Sequence, residues 1–365
     1  MTGPPIAGQP SAAFAGLIGI VAPVSTFAKR DYLMNATRFP SEGNWAFCRF
    51  DSAEVPAVRL GFQKGGFNGG AVDRVPSPRY LQLHLEVMTR DGAILWLPSG
   101  IYAADSVVAD PEAMDIELTH GSQCIFSLRG WPRMACDFRS SDGDLEVQLN
   151  FDLKSGVILP DCYLPYCLFA MWESMGNATG TVRFGDRTVA VNGKVFFDHT
   201  RILAAQHRVR ARHMYVYTTL YLEDGSGLFG YHSADAMGQP IEEYCFGVFI
   251  DAEGNGRLLN DASLVHLALD EEGIAKSWKI RWRAPDLLLA ADVEVQFSRI
   301  LRCWGAPDVP VLRQEFSILP LVLDASVKIG FAKSARELKG KGLAEYFNAN
   351  LWPADKAAIT PGPNS

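Results

Sequence analysis

Carboxyl groups set beside aromatic rings are the residues of this chain best suited to do chemistry. Asp198 and His199 follow the aromatic doublet Phe196-Phe197. On a strand, neighbours i and i+1 point to opposite faces, so this pair is not expected to act on one atom unless the strand bulges. A carboxyl there that is removed from water would keep its proton near neutral pH and act as an acid or hydrogen-bond donor. The structural alternative for Asp198 is a cap that ties down backbone N–H groups. Glu173 follows Trp172 at the end of the apolar stretch Leu168–Trp172, and Glu345 sits beside Tyr346. Both are candidate proton donors, with a rim salt bridge as the alternative for Glu173.

Rings could supply the other half of such chemistry. Protonating an alkene needs a neutral acid and aromatic faces that stabilise the resulting cation. Tyr215, Tyr217, Thr219 and Tyr221 share one strand face. They either line a cavity with rings and hydroxyls or pack with their hydroxyls reaching the surface. His232 and His84 read as strand histidines with satisfied hydrogen bonds more readily than as acids. Periodicity puts His84 and Glu86 on one face. Arg208, Arg210 and Arg212 share another, either for contact with an anionic group or as a charged edge strand protected from pairing.

Several common chemistries have no motif here. There is no Gly-x-Ser-x-Gly elbow, P-loop, dinucleotide fingerprint or His-Glu-x-x-His, and the seven histidines show no metal-ligand spacing. Hydrolase, kinase and dehydrogenase readings fall away, and no metal site is expected.

The elements that must hold these residues are strands. Leu145, Val147, Leu149, Phe151 and Leu153 alternate with Asp144, Glu146, Gln148, Asn150 and Asp152, and Tyr80–Val87 alternates in the same way. Asp91-Gly92, Asp142-Gly143 and Asp224-Gly225 are hairpin turns, because glycine accepts a positive φ. The best helix candidate is Lys333–Ala349, which Gly340 and Gly342 weaken. The two-proline stretch Leu159–Pro165 reads as an irregular crossing between two barrels. The expected division is an N-terminal arm over 1–40, a first barrel over 41–168, a second over 169–352 and a flexible tail over 353–365.

Composition agrees with a folded, acidic protein. The chain has 365 residues, 48% of them hydrophobic, and a formal charge of −7. That is enough apolar material for a core, and the acidic balance argues against a nucleic-acid partner. Ala12–Ala28 is short of a membrane span and is interrupted by Gly16, Gly19 and Pro23. It has no preceding basic residue, so a cytoplasmic location is expected, with a peripheral membrane contact left open. The seven cysteines form no CxxC pair and read as reduced, buried thiols, with a disulfide at Cys162 or Cys167 as the alternative.

The segment Gly180–Thr200, a Gly-rich hairpin turning at Gly185-Asp186 and ending in Asp198-His199, resembles a block of the lipocalin-like carotenoid hydratase and AttH-like superfamily. That group is itself similar to tocopherol-cyclase-like and fungal Diels–Alderase proteins. Further blocks follow in the family's order: Gly43-Asn-Trp45, Tyr215–Gly225, Tyr231-His232 through Gly238, and Gly342-Leu-Ala-Glu345-Tyr346. Thr200-Arg201 departs from the family's usual Trp-Gly continuation, and Trp45 stands alone where the family often has adjacent aromatics.

The resemblance implies an all-β double calycin, two consecutive antiparallel barrels packed together with few short helices and a pocket in or between them. It implies a cofactor-independent lyase or isomerase (hydratase, cyclase or Diels–Alderase type) acting on a hydrophobic isoprenoid or polyketide-like substrate in an apolar barrel pocket. The other reading is a non-catalytic carrier of a lipid or pigment. Residues and resemblance together give Asp198, His199, Glu173 and Glu345 as the expected catalytic set. Trp172, Tyr215, Tyr217, Tyr231, His232, Tyr346 and Trp45 are expected at the substrate. The expected partner is a hydrophobic small molecule, and the expected state a monomer or homodimer.

Overall fold

A computed structural model describes residues 20–23, 41–64, 80–90, 94–103, 107–110, 115–120, 122–130, 133–140, 142–164, 167–205, 214–235, 237–240, 245–259, 261–271, 273–298, 318–331 and 334–348. Its described elements are all strands. The first twelve are β1 (Ile20–Pro23), β2 (Ser41–Phe50), β3 (Ala57–Lys64), β4 (Tyr80–Met88), β5 (Ile94–Ala103), β6 (Val107–Asp110), β7 (Asp115–His120), β8 (Gln123–Arg129), β9 (Arg133–Arg139), β10 (Leu145–Leu164), β11 (Cys167–Phe184) and β12 (Arg187–Ala205). The other nine are β13 (Met214–Leu222), β14 (Gly227–Ala234), β15 (Phe246–Ile250), β16 (Gly256–Leu259), β17 (Asp261–Leu269), β18 (Ala275–Ala284), β19 (Leu287–Ser298), β20 (Ile318–Phe331) and β21 (Ser334–Asn348).

These strands make two antiparallel sheets of twelve and nine strands. The first runs β5-β4-β3-β2-β12-β11-β10-β9-β8-β7-β6, with β1 added on β10; the second runs β16-β15-β14-β13-β21-β20-β19-β18-β17. Period-2 alternation sets the faces. On β10, Leu145, Val147, Leu149, Phe151 and Leu153 are buried, and the polar residues between them lie towards solvent. Each sheet coils about its own core. Leu83, Leu85 and Val87 on β4 join one apolar cluster with Ile116 and Leu118 on β7, although these strands lie towards opposite ends of the sheet. In the second sheet, Trp278, Ile280 and Trp282 on β18 pack with Val216 and Leu220 on β13. The Ala262 N–H donates to the Cys245 carbonyl at 3.2 Å, which draws β17 towards β15. The alternation and the turn residues predict an all-β chain, and the two coiled sheets are the lipocalin-like two-barrel architecture that the resemblance implies. Gly143 and Gly225 hold positive φ values of 77° and 88° in the expected turns.

Three expectations are corrected. The change of sheet falls between Ala205 and Met214 and not at 168/169, because β11 and β12 pair in the first sheet. The two-proline stretch is no crossing between barrels as far as Leu164: β10 runs on through Leu159–Leu164, with a register shift between Leu159 and Cys162 where Pro160 lies, and Pro165 falls outside the described residues. The helix expected over Lys333–Ala349 is β21, paired with β13 and β20. Period 2 prevails there, and a Cβ on Gly342 would stand 1.8 Å from the Thr219 carbonyl oxygen of β13. Glycine is what allows the two backbones to approach so closely.

The barrels meet through their outward faces. Phe47 on β2 and Phe196 on β12 lie 5.2 and 5.0 Å, ring centre to ring centre, from Tyr217 and Tyr221 on β13. The Tyr221 hydroxyl donates to the Phe47 carbonyl at 2.7 Å. The tyrosine stripe thus neither lines a lumen nor reaches the surface; it faces the other barrel. Cys48, Cys136 and Cys245 are buried free thiols as expected, whereas the free thiol of Cys124 is exposed. The side chains of Cys162, Cys167 and His84, the Arg208–Arg212 run and the tail fall outside the described residues. Among the described residues no helix is long and apolar enough to cross a membrane.

Candidate active site

Alternation delivers four carboxyl groups to the inter-barrel face. On β11 and β12, Glu173 and Asp198 are directly opposite partners in the backbone register. The residues flanking them, Ser174, Phe197 and His199, point the other way. Glu173 is fully buried and Asp198 is 4% exposed. Their side chains are hydrogen-bonded to each other. Glu86 arrives on β4 and Glu345 on β21. The one guanidinium among the described residues of this cluster is Arg59 on β3, 1% exposed. Its Nη1 donates to both oxygens of Glu86, at 2.7 and 2.8 Å, and its Nη2 pairs with Glu345 of the other barrel.

Electrostatics follow from that ratio. Burial pushes the Glu173 carboxyl well above the ordinary carboxylate range; the charge of Asp198 and its hydrogen bond push it further, and Glu345 adds to this. A hydrogen bond from the Tyr217 hydroxyl, 3.4 and 3.5 Å from the two Glu173 oxygens, pulls the other way. Two carboxyls in contact inside a protein do not both ionise, so the pair retains a proton. Burial also lifts the Glu86 carboxyl above its ordinary range, and Arg59 offsets only part of that rise. The phenols of Tyr217 and Tyr231 are raised well above 10, first by burial and then by the carboxyls around them, so both keep their protons.

Ring faces surround the acids. Tyr217 and Tyr231 stack with centroids 4.4 Å apart, and Tyr231 lies 5.4 Å from Phe246. Arg59 stands over the Trp45 ring at 4.8 Å and over the Phe47 ring at 5.8 Å, so these rings already accommodate a cation. The arrangement can hold a proton on a carboxyl, deliver it, and face the resulting positive charge with aromatic rings and carboxylates.

Of the residues expected from sequence, Asp198, Glu173, Glu345, Tyr215, Tyr217, Tyr231 and Trp45 come together here; the Tyr215 hydroxyl donates to Glu345 at 3.4 Å. Three do not. His199 faces the first barrel's interior, where its Nδ1 meets Asn44 Oδ1. His232 lies inside the second barrel near the Ala262 carbonyl, at 3.4 Å, and burial lowers its pKa. The Tyr346 hydroxyl donates to the Gly273 carbonyl at 3.3 Å, away from the cluster. The backbone of Trp172 pairs with His199, and its side chain is outside the description. The cluster lies between the barrels, one of the two places the resemblance implies, and not in a barrel lumen; the described inward side chains of each barrel form its packed core.

Arg59 was missed by sequence reasoning. Its signal was a lone arginine in the apolar strand Ala57-Val-Arg59-Leu-Gly61. A separate groove of about 1060 Å³ opens elsewhere along the interface beside Arg49, Lys194, Tyr221, Asp324 and Lys341, and none of the four clustered carboxyls lines it. Among the described residues no group of three or more histidine, cysteine, aspartate and glutamate side chains is arranged to hold a metal ion.

No protein-family model and no curated protein matches this sequence. Solved structures do match its fold. An AttH-like protein from Nitrosomonas europaea aligns with a TM-score of 0.57 at 11% identity, over 90% of this chain and 99% of that one. Kievitone hydratase from Nectria haematococca aligns with a TM-score of 0.53 at 8% identity, over 89% of this chain and 93% of that one. The resemblance read from the ordered sequence blocks therefore holds at the level of architecture, and the chain has the two-barrel fold of the AttH-like proteins.

Proposed function

We propose that this protein is a cofactor-independent lyase or isomerase that protonates a double bond of a hydrophobic substrate held against the inter-barrel face. The observation that carries this reading is the buried Glu173–Asp198 pair, hydrogen-bonded side chain to side chain beneath tyrosine rings. The pair gives up its shared proton to one alkene carbon. The adjacent carbon becomes cationic against the ring faces, and the deprotonated pair then accepts a proton from an attacking water or from a neighbouring carbon. The first outcome is hydration and the second is isomerisation or cyclisation. The fold shared with kievitone hydratase supports the hydration branch by analogy. Holding the reacting atoms in a dry site can supply on the order of 7–11 kcal/mol of the barrier.

Native mass spectrometry of the purified full chain, followed by identification of a co-purified apolar molecule, supplies the compound for the test. That compound is incubated with the parent, Glu173→Gln and Asp198→Asn, and turnover and retention are measured separately. Conversion by the parent that is lost in both variants, with retention kept, supports the reading. Retention without conversion by the parent identifies a carrier and overturns it.

A further inference from the structure

Arg59 has no part in that proton transfer, yet it is a buried charge held by two carboxylates and two aromatic rings. It sits on β3 between the two barrels, bound through one nitrogen to both oxygens of Glu86 and through the other to Glu345. Its cationic plane is covered by the rings of Trp45 and Phe47 on β2. Burial works against its charge, but Glu345 and Glu86 together more than offset that, so it stays protonated. A guanidinium engaged in this way is not available to anchor an anionic substrate. Its two terminal nitrogens reach two different carboxylates at once from one rigid plane, which the single nitrogen of a lysine ammonium does not reproduce.

The groups that face the carboxyl pair come from every neighbouring element: Trp45 on β2, Glu345 on β21, Tyr215 and Tyr217 on β13, and Tyr231 on β14, with Arg59 and Glu86 behind them on β3 and β4. Four carboxyls compete for one guanidinium, and geometry decides which two win. We infer that Arg59 is a positioning residue: it binds Glu86 and Glu345 into a closed ion triplet across the barrel interface and so leaves Glu173–Asp198 as the pair that donates the proton. The negative charge held on Glu345 then acts on Glu173 from the second barrel and favours the protonated form. This inference rests on the proton-donor reading above and deepens it.

The test is the infrared spectrum of the full-length protein as a function of pH, read at the C=O stretch of protonated carboxyls. In the parent, a band persists at neutral pH and disappears in Glu173→Gln; its absence from the parent would overturn the proton-donor reading itself. Glu345→Gln removes the neighbouring negative charge and shifts the midpoint of that band to lower pH. Arg59→Lys keeps the charge but offers one nitrogen where two held two carboxylates, so Glu86, which burial already raises and Arg59 lowers, takes up a proton and a second band appears. A purely structural arginine predicts altered thermal stability with no second band. If Arg59→Lys leaves the band number as in the parent, the positioning role is overturned. If that variant does not fold, an unmoved midpoint in Glu345→Gln overturns it equally.

Discussion

Glu173 and Asp198 are joined twice, as opposite residues in the β11–β12 backbone register and through a hydrogen bond between their side chains. The first relation fixes the second. Cross-strand partners have Cβ atoms about 4.5–5.5 Å apart, and two short acidic side chains on the same face at that separation must share a proton or repel each other. The covering barrel removes water, so sharing prevails.

That sharing has a sign in the stability of the fold. In the unfolded chain the Glu173 carboxyl titrates near 4.5, and in the folded pair it titrates well above that. Between those two pH values the native state binds more protons than the unfolded state, so stability falls as pH rises. The contribution is complete below the unfolded value and lost as pH passes through the folded one. Glu173→Gln has no such proton, and its stability should decline less on the alkaline side. Urea midpoints of the parent and this variant, measured across pH, check it; parallel curves would count against the buried pair.

Tyr217→Phe tests the same carboxyl from the other barrel. The Tyr217 hydroxyl is the group that lowers the Glu173 pKa. Its removal should therefore raise the titration midpoint of the pair, the opposite of the Glu345→Gln effect. The phenylalanine keeps the ring between Phe47 and Tyr231, so the change is electrostatic and not one of packing. Carboxyl side-chain NMR with selective labelling reads the direction, and a fall in the midpoint would contradict the assigned contact.

Arg59→Met should be among the most damaging single substitutions. Arg59 and Glu86 are each 1% exposed, and removing one partner of such a buried pair costs about 3–5 kcal/mol because the other charge is stranded. A second change, Glu86→Leu, removes the stranded carboxyl and should recover much of the loss. Equilibrium denaturation of the parent, the single variant and the double variant measures this. Equal losses in single and double variants would mean that the pair acts as two separate packing residues.

Much of this was legible in the sequence because strand alternation is local information. The faces of β10 and β13, the opposite directions of Asp198 and His199, and the glycine turns all follow from neighbours within a few residues. Glu86 could be placed on a face without knowing what that face meets. The partners were not legible: Arg59 finds Glu345 across 286 residues, and no periodicity encodes which outward faces two barrels press together. Pro160 misled because a proline within a strand commonly marks an end; here a register shift absorbs it. The helix expected near the C-terminus failed because the charged residues between glycines suited either period, and the close backbone approach at Gly342 is a tertiary fact.

Gly61 supports the site from below, and that can be measured through Trp45. The two residues are opposite partners on β3 and β2. A Cβ at position 61 would stand 1.9 Å from Cζ3 and 2.1 Å from Cε3 of the Trp45 ring, so the ring lies flat across the glycine and forms the floor under Arg59. Gly61→Ala must displace either the ring or the strand, and overpacking of this kind costs about 1–3 kcal/mol. If the ring is the obstacle, the same substitution made in a Trp45→Ala background should cost much less, because the new methyl then enters space the indole has left. A double-mutant cycle on unfolding free energies gives that coupling directly, and contacting residues commonly show about 0.5–3 kcal/mol. A coupling near zero would place the strain in the β2–β3 backbone and remove Trp45 as the support of Arg59.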